Sequence, residues 1–251
     1  MHSPRLSVVI PAYNEARRLP ATLERIGTYL ASHRELLPAE VVVVNDGSGD
    51  ATAAVVAAWE PPPGVAVVLH SFDENRGKGA AVRAGLGVAS GELVLVTDAD
   101  LATPIEELAK LLPYADKVAC GSRAMDRRLI ARRQPWLRDR LGRAFNLALR
   151  LLGLTHLRDT QCGFKLLPGT AARELASRMT FDGFIYDVEL LARARAMGFG
   201  VVEVPVRWAH VEESRVRPLR HGLEMLMDAL RLRLRLWQEA FRARRKGERR
   251  G

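Results

Sequence analysis

Runs of aliphatic residues alternate with amphipathic segments through the first half of the chain. Buried strands are predicted at residues 6–13, 41–45, 65–70 and 92–97, and helices at 15–31, 50–59 and 78–90. The strands are rich in Val and Leu without polar alternation, which is typical of parallel strands covered on both faces. This order predicts an α/β fold with a mostly parallel central sheet flanked by helices.

The second half of the chain continues this alternation of strands and helices only in part. One more helix and strand are expected between residues 104 and 121, followed by Arg-rich helical sequence from about 127 to 153. The remaining predictions are a strand at 163–167, helices near 169–178 and 187–197, a strand at 200–206 and a long basic amphipathic helix at 217–245. We expect one domain over residues 1–240, with halves at 5–125 and 126–240, and a basic disordered tail at 241–251.

Composition is that of an ordinary globular protein, but the charge is unevenly spread. The 251 residues are 48% hydrophobic and 27% charged, with a formal net charge of +9. Residues 127–158 carry nine arginines against the single acid Asp139, and residues 231–251 carry nine Lys or Arg against two Glu. Unless solvent alone covers them, such surfaces need an anionic partner.

Cysteine usage and hydropathy bear on the compartment. Cys120 and Cys162 form neither a CxxC pair nor an evenly spaced framework, which favours a reducing compartment. The N-terminal apolar run is too short for a signal peptide, and arginines interrupt every later apolar stretch before the ~20 residues that a bilayer requires. We therefore expect a cytoplasmic protein without a transmembrane helix, whose contact with a membrane is peripheral.

Two acidic residues follow the strand predicted at 92–97. Asp98 and Asp100 flank Ala99, so both carboxylates can face one hard cation such as Mg²⁺ or Mn²⁺. A solvated turn at a strand end would explain the same three residues equally well. Their neighbours decide between the two interpretations.

Other strand ends carry residues suited to a nucleotide. P-A-Y-N-E (11–15) follows the first strand and N-D-G-S (45–48) the second, although both also suit simple turns. N-R-G-K-G (75–79) follows the third; its glycines let a backbone approach a ligand, and Lys78 opens a helix, where anions bind. The spacing is neither that of a P-loop nor that of a dinucleotide fingerprint. Because ligands bind at the carboxyl ends of parallel strands, these loops together predict a binding site.

Taken in order, these motifs resemble the family 2 inverting glycosyltransferases of the GT-A fold. The matching segments are V-V-I-P-A-Y-N-E, V-V-N-D-G-S, N-R-G-K-G-A-A-V-R-A-G and V-T-D-A-D. The resemblance continues through D-T-Q-C-G-F-K (159–165), D-V-E-L-L (187–191) and P-V-R-W (205–208), and it is closest to the dolichyl-phosphate β-glucosyltransferase branch. It implies a Rossmann-like nucleotide-sugar-binding domain and a transferase that uses a divalent cation.

The resemblance also implies roles for individual residues. The nucleotide-sugar site would contain Pro11, Ala12, Tyr13, Glu15, Asp46, Gly77, Lys78, Asp98, Ala99 and Asp100, with Asp98 and Asp100 as metal ligands. The acceptor phosphate would be met by Arg123, Arg132, Lys165, Arg215 and Arg217, and the catalytic residues would be Asp100, Arg123, Lys165 and Asp187. The assignment of Arg215 departs from the related branch, which usually has Lys there.

One departure from the neighbouring polyprenyl-phosphate mannosyltransferases bears on the donor. Those enzymes follow the metal motif with L-Q-H-P, whose Gln adds a ligand, whereas this chain reads L-A-T-P (101–104). The D-T-Q-C at 159–162 likewise replaces their D-P-T-S. Both differences favour glucose from UDP-glucose, with mannose from GDP-mannose as the alternative. The implied acceptor is dolichyl or undecaprenyl phosphate, and another acceptor stays open.

The implied chemistry is a single in-line displacement with inversion. The metal and Lys78 would stabilise the departing diphosphate. A lipid phosphate is already largely ionised at pH 7, because its second pKa is ~6, so a general base is not required. Asp187 and Glu189 lie where related enzymes carry a base, but a positioning or structural role suits them as well.

Apolar residues recur at helical spacing among the arginines of both basic segments. This pattern is typical of helices in the interface of an anionic membrane, which predicts contact with its cytoplasmic face. Core helices with solvated faces are the alternative. Binding to nucleic acid is disfavoured, because the arginines accompany aliphatic rather than stacking aromatic residues and four ligand motifs would be left unexplained.

Overall fold

The computed structural model describes residues 3–132, 135–210 and 218–247, which form an α/β structure. The strands are β1 (Leu6–Ala12), β2 (Ala39–Asn45), β3 (Val65–Ser71), β4 (Leu93–Val96), β5 (Val118–Ser122), β6 (Ile130–Arg132), β7 (Lys165–Pro168), β8 (Val201–Pro205) and β9 (Trp208–Ala209). The α-helices are α1 (Leu19–Ser32), α2 (Thr52–Ala58), α3 (Lys78–Val88), α4 (Leu108–Leu111), α5 (Trp136–Leu151), α6 (Gly169–Arg178), α7 (Tyr186–Ala196) and α8 (Pro218–Gly247).

A central sheet of seven strands, in the order β3-β2-β1-β4-β7-β5-β8, confirms the predicted architecture. Six strands run parallel, and β7 is antiparallel to both of its neighbours. Every residue of β1 and β2 is buried, as their aliphatic sequences predict. Because β1 to β4 are parallel, their carboxyl ends lie along one edge of the sheet.

Aliphatic cores cover both faces of this sheet. Successive residues Val8 and Val9 of β1 enter opposite cores, as the alternation of side chains along a strand requires. Helix α1 closes one face through residues such as Leu23, and α3, α6 and α7 close the other through residues such as Leu86. The sheet is thus sandwiched between two helical layers.

A smaller core joins α5 and α8 to α7. It contains Leu149 of α5, Val188 of α7, and Ala229 and Leu232 of α8. Large apolar side chains are nevertheless exposed on both helices: Trp136, Leu147 and Leu151 on α5, and Leu223, Met227, Leu230, Leu234, Trp237 and Phe241 on α8. The α8 set, here named the apolar stripe, recurs every three or four residues and so follows one side of the helix.

Bilayer-spanning helices are not found among residues 3–132, 135–210 and 218–247: none there is both long and apolar enough.

Three elements differ from the expectations above. Helix α1 begins at Leu19 rather than near residue 15, because Pro20 lacks a backbone N–H and is favoured in the first turn of a helix over its interior. The helix expected after residue 104 is instead a short run of 3₁₀ and α turns, within which Pro113 lacks a backbone donor. Helix α8 continues to Gly247, so residues 241–247 are helical where a disordered tail was expected, and 248–251 lie outside the described residues.

Candidate active site

An acidic turn, residues 98–102, lies at the edge of the sheet where β1 to β4 end. Asp98 and Asp100 follow β4 after one residue, as the sequence predicts. Leu101 has a positive φ of 44°, and the Ala102 N–H donates a 3.0 Å hydrogen bond to Asp100 Oδ1. The carboxylate of Asp100 therefore helps to fix the turn on which it lies.

An ion pair joins the acidic turn to α3. Lys78 is the first residue of α3, and its Nζ lies 2.5 Å from Asp98 Oδ1. Burial alone would raise the pKa of Asp98, but Lys78, with further contributions from Lys165 and Arg123, lowers it. Burial likewise opposes the charge of Lys78, yet Asp98 raises the pKa of that ammonium. Lys78 is therefore protonated at neutral pH, and it lies at a helix N-terminus, where anions are stabilised.

The negative charge of Asp100 is less well compensated by nearby cations than that of Asp98. Burial and, after it, the negative charge of Asp98 raise the pKa of Asp100. Neighbouring carboxylates that repel one another are suitable ligands for a hard cation. No group of three or more acidic, His or Cys side chains within the described part of the chain is arranged to hold a metal. The pair fits a divalent cation that takes its other ligands from a diphosphate and water, as Mg²⁺ commonly does.

Gly163 makes room for the carboxylate of Asp98. A Cβ at this position would lie 2.1 Å from Asp98 Oδ2 and 2.5 Å from Asp98 Cγ, so any side chain here would force the Asp98 carboxylate to move. Sequence reasoning did not single out Gly163. Its place inside the D-T-Q-C-G-F-K segment was the available signal.

Lys165 and Asp187 form a buried ion pair within the site. Lys165 lies on β7, Asp187 lies in the first turn of α7, and both side chains are almost fully buried. The Lys165 ammonium also donates to the Cys162 carbonyl at 2.5 Å, so the protein itself uses two of its three donors. Burial opposes the charge of Lys165, but its neighbours, Asp187 foremost among them, raise the pKa of the ammonium. The charge of Lys165 in turn contributes to lowering the pKa of Asp98.

Arg123 is a further cation of the site, and its orientation is fixed. Its Nε and Nη2 donate to the two carboxylate oxygens of Asp159 at 2.7 and 2.8 Å. The guanidinium also lies 5.3 Å from the ring centroid of Trp208. Burial opposes the charge of Arg123, but Asp159 raises its pKa well above the ordinary value. About a quarter of the side chain, 25%, stays exposed.

A small two-stranded sheet, which the sequence did not predict, links the acidic turn to Arg132. Arg132 is the last residue of β6, and β6 pairs with β9. The His210 N–H donates to the Arg132 carbonyl at 3.0 Å, and the Ala209 N–H donates to the Ala102 carbonyl at 2.9 Å. Arg132 therefore belongs to a segment anchored on the acidic turn. The other predicted acceptor residues, Arg215 and Arg217, lie outside the described residues.

The loops predicted to bind the nucleoside meet at Asp46. This residue is buried, and its carboxylate accepts hydrogen bonds from the Arg76 N–H at 2.7 Å and from the Gly77 N–H and the Asn75 side-chain amide at 3.0 Å. Asp46 therefore anchors the loop after β2 to the turn that begins α3. Its hydrogen bonds within the protein were not foreseen from the sequence.

The remaining residues predicted for the nucleotide-sugar site occupy the same edge of the sheet. Pro11 and Ala12 are buried at the end of β1, whereas Tyr13 is 39% exposed. Glu15 accepts two hydrogen bonds from an arginine three residues further on. Ala99 is buried, and its carbonyl accepts a hydrogen bond from a threonine hydroxyl of α1 at 2.6 Å. The structure thus brings these loops together at the acidic turn.

A mostly parallel sheet that carries an acidic pair and a basic helix N-terminus at the carboxyl edge of its strands is suited to bind a phosphate-bearing ligand together with a divalent cation. The family model for glycosyl transferase family 2 matches residues 7–168, and the chain belongs to this family. It is therefore a glycosyltransferase.

Its similar relatives include two animal proteins named dolichyl-phosphate beta-glucosyltransferase. The human protein is 36% identical over 252 residues, which cover 95% of this chain and 78% of the relative. The Drosophila melanogaster protein is 37% identical over 251 residues, covering 94% and 77%.

Solved structures confirm the GT-A type of fold. Mannosyl-3-phosphoglycerate synthase from Rubrobacter xylanophilus matches with a TM-score of 0.66 and 21% identity, covering 95% of this chain and 75% of the other. Glucosyl-3-phosphoglycerate synthase from Mycobacterium tuberculosis, in complex with Mn²⁺ and UDP-glucose, matches with a TM-score of 0.61 and 21% identity, covering 93% and 79%.

Proposed function

We propose that the chain transfers glucose from UDP-glucose, with inversion of the anomeric centre, to the phosphate of a polyprenyl phosphate. The observation that carries this proposal is the similarity, over nearly the whole chain, to proteins named dolichyl-phosphate beta-glucosyltransferase. The L-A-T-P sequence after Asp100 supports the choice of glucose over mannose. Dolichyl and undecaprenyl phosphate present the same headgroup, so either lipid satisfies the proposal.

On the donor side, the acidic turn and α3 would receive the diphosphate. Asp98 and Asp100 would hold a divalent cation, Mg²⁺ or Mn²⁺, whose charge offsets that of the departing diphosphate. Lys78 would add a second positive charge at the N-terminus of α3, where backbone N–H groups also favour an anion. Asp46 would support the uridine site through the loop that it anchors.

On the acceptor side, Arg123 is well placed for an anionic headgroup, because its orientation is fixed while about a quarter of its side chain, 25%, stays exposed. Arg132, whose strand is anchored on the acidic turn by the small sheet, would also contact the headgroup. Arg215 and Arg217 are still predicted to contact the acceptor phosphate. Lys165 would act mainly through its charge, because its partners within the protein already take two of its three donors.

The acceptor brings its own nucleophile. A phosphate monoester is largely ionised at pH 7, since its second pKa is ~6, so the attacking oxygen needs no base. Asp187 is bound to Lys165 and buried, which suits a carboxylate that holds a cation in place rather than one that removes a proton. We assign Asp187 to positioning Lys165.

The lipid would be reached at the cytoplasmic surface of a membrane. The apolar stripe of α8, like Trp136, Leu147 and Leu151 of α5, consists of large apolar side chains that are exposed to solvent. Arginines border the stripe on α8, and basic residues near an anionic leaflet contribute about 1 kcal/mol each. These features support peripheral binding through α5 and α8.

The choice of donor is tested by incubating the purified protein with a polyprenyl phosphate, Mn²⁺, and either radiolabelled UDP-glucose or radiolabelled GDP-mannose. We expect label in the organic phase with UDP-glucose. Labelled lipid from GDP-mannose alone would instead assign the mannosyl reaction. Consumption of UDP-glucose with label only in the aqueous phase would assign a different acceptor.

A further inference from the structure

Helix α8 is connected to the start of α3 through a short loop, residues 180–183. We propose that Arg235 and Glu239 of α8 are positioning residues for the donor diphosphate: they fix the 180–183 loop, and this loop fixes the turn that presents Lys78. The inference rests on the proposed function, because it concerns the binding of UDP at that same site.

The 180–183 loop holds the N-terminus of α3 through its backbone. The Asp182 carbonyl accepts hydrogen bonds from the Gly79 N–H at 2.7 Å and the Ala80 N–H at 3.3 Å. A Cβ at Gly77 would lie 2.4 Å from this carbonyl oxygen, and one at Gly79 would lie 2.4 Å from the preceding carbonyl of the loop. The two glycines that flank Lys78 therefore admit the loop, and any displacement of the loop is transmitted to Lys78.

The loop is fixed in turn by a buried carboxylate of α7. Glu189 is fully buried, and its two oxygens accept hydrogen bonds of 3.0 Å from the Thr180 N–H and the Phe181 N–H. Its negative charge is compensated by Arg193, whose Nε donates to Glu189 Oε1 at 2.8 Å. A buried carboxylate without such a partner would be costly, so the loop depends on Arg193 as well as on Glu189.

Two charged side chains of helix α8 contact the 180–183 loop and the buried ion pair of Glu189 and Arg193. Glu239 lies 3.0 Å from Nη1 of Arg193, so three alternating charges connect α8 to the loop. Arg235 contacts the loop directly: its Nη1 donates to the Thr180 hydroxyl at 2.7 Å, and its guanidinium lies 4.8 Å from the Phe181 ring centroid. Two side chains of one helix thus hold both the loop and the buried pair behind it.

This connection gives α8 a role in the donor site in addition to lipid contact. The helix carries the apolar stripe on one side and these two charges beside its packed side. The contacts that hold α8 against the protein therefore also order the turn around Lys78.

The test is the affinity for UDP, measured by isothermal titration calorimetry with Mn²⁺ and without lipid. We expect Arg235→Gln to raise the Kd for UDP by about two- to thirty-fold, the range typical of residues that act on a site through others. Arg231→Gln is the matched control, because it removes the same charge from the same helix while Arg231 pairs with Asp228 of α8. It should leave the Kd within error of wild type, and Arg235→Lys should restore part of the affinity.

Amide hydrogen exchange supplies a second readout that does not depend on UDP. Arg235→Gln and Glu239→Gln should each speed exchange at Gly79 and Ala80, with an unchanged midpoint of thermal unfolding. Unchanged exchange and an unchanged Kd in both variants would overturn the inference. If the wild-type protein binds no UDP, the proposed function fails instead, and the exchange rates still decide whether α8 fixes this turn.

Discussion

Gly163→Ala should displace one carboxylate of the acidic turn while leaving the fold intact. The added Cβ would lie 2.1 Å from Asp98 Oδ2, whereas ordinary contact begins at 3.4 Å, so the carboxylate must move by about 1.3 Å. The side chain of Asp98 is 32% exposed and has space to turn away. It would then lose its hydrogen bond to Lys78 and its alignment with Asp100.

The cost of this displacement should appear in catalysis. A shift of ~1 Å in a positioning group can slow an enzyme by about 100-fold. We expect kcat/KM for UDP-glucose to fall by about this factor, which corresponds to ~2.7 kcal/mol of transition-state stabilisation. The Mn²⁺ concentration required for half-maximal rate should rise as well, because one of the two carboxylates would be misplaced.

The assay is steady-state transfer to a polyprenyl phosphate at varied UDP-glucose and Mn²⁺ concentrations, with thermal unfolding measured alongside. Gly87→Ala is the matched control: Gly87 is exposed on α3, and a Cβ there would meet Ala176 at an ordinary 3.8 Å. That change should keep full activity and stabilise the helix by about 0.5–1 kcal/mol. Wild-type kinetics and metal dependence in Gly163→Ala would refute the placement of Asp98 at the reacting centre.

Three further perturbations follow from the same structure. Asp100→Asn should lower transfer at least ~100-fold at saturating Mn²⁺, as chelation of the metal should in the wild type, and substantial transfer in either case would contradict a metal site here. Lys165→Met should lower the free energy of unfolding by about 3–5 kcal/mol, because Asp187 would be left buried without its partner; denaturant titration that shows no loss would contradict this pairing. Leu234→Gln should weaken sedimentation with anionic vesicles about tenfold or more, since a 59% exposed leucine of the apolar stripe would no longer enter the bilayer interface, whereas Val88→Gln on α3 should not. Equal sedimentation of both variants would argue against the stripe as the lipid-binding surface.

The strands of the first half could be predicted closely because their sequences allow one interpretation. Aliphatic runs such as those of β1 and β2 are buried on both faces, and a parallel sheet is the structure that buries them so. The antiparallel direction of β7 could not be predicted, because four residues do not reveal which strands they will join. The small sheet of β6 and β9 was missed for the same reason.

The composition of the site was predictable where it depends on strand ends. Lys78, Asp98 and Asp100 were expected to lie together because parallel strands end at one edge, and the structure brings them together. The close contacts between segments that are distant in sequence were not predictable. The glycines beside Lys78 indicated close approach of a backbone to a ligand, whereas in the structure the backbone that approaches them is the 180–183 loop.

Contacts between distant segments also changed the interpretation of charged residues. Lys165 was predicted to meet the acceptor phosphate, but its partner Asp187 lies 22 residues away in sequence and takes part of its hydrogen-bonding capacity. Glu189 looked like a candidate base, and its hydrogen bonds instead fix the 180–183 loop. The residue types were visible in the sequence, but their partners required the fold.

Mass spectrometry of the lipid after reaction detects the proposed transfer of glucose itself. Purified protein would be incubated with a polyprenyl phosphate, UDP-glucose and Mn²⁺, beside an Asp100→Asn control. We expect the lipid phosphate to gain one hexose, with one UDP released for each hexose added, and the control to leave the lipid unchanged. A lipid that stays unmodified while the wild-type protein consumes UDP-glucose would show that a polyprenyl phosphate is not the acceptor.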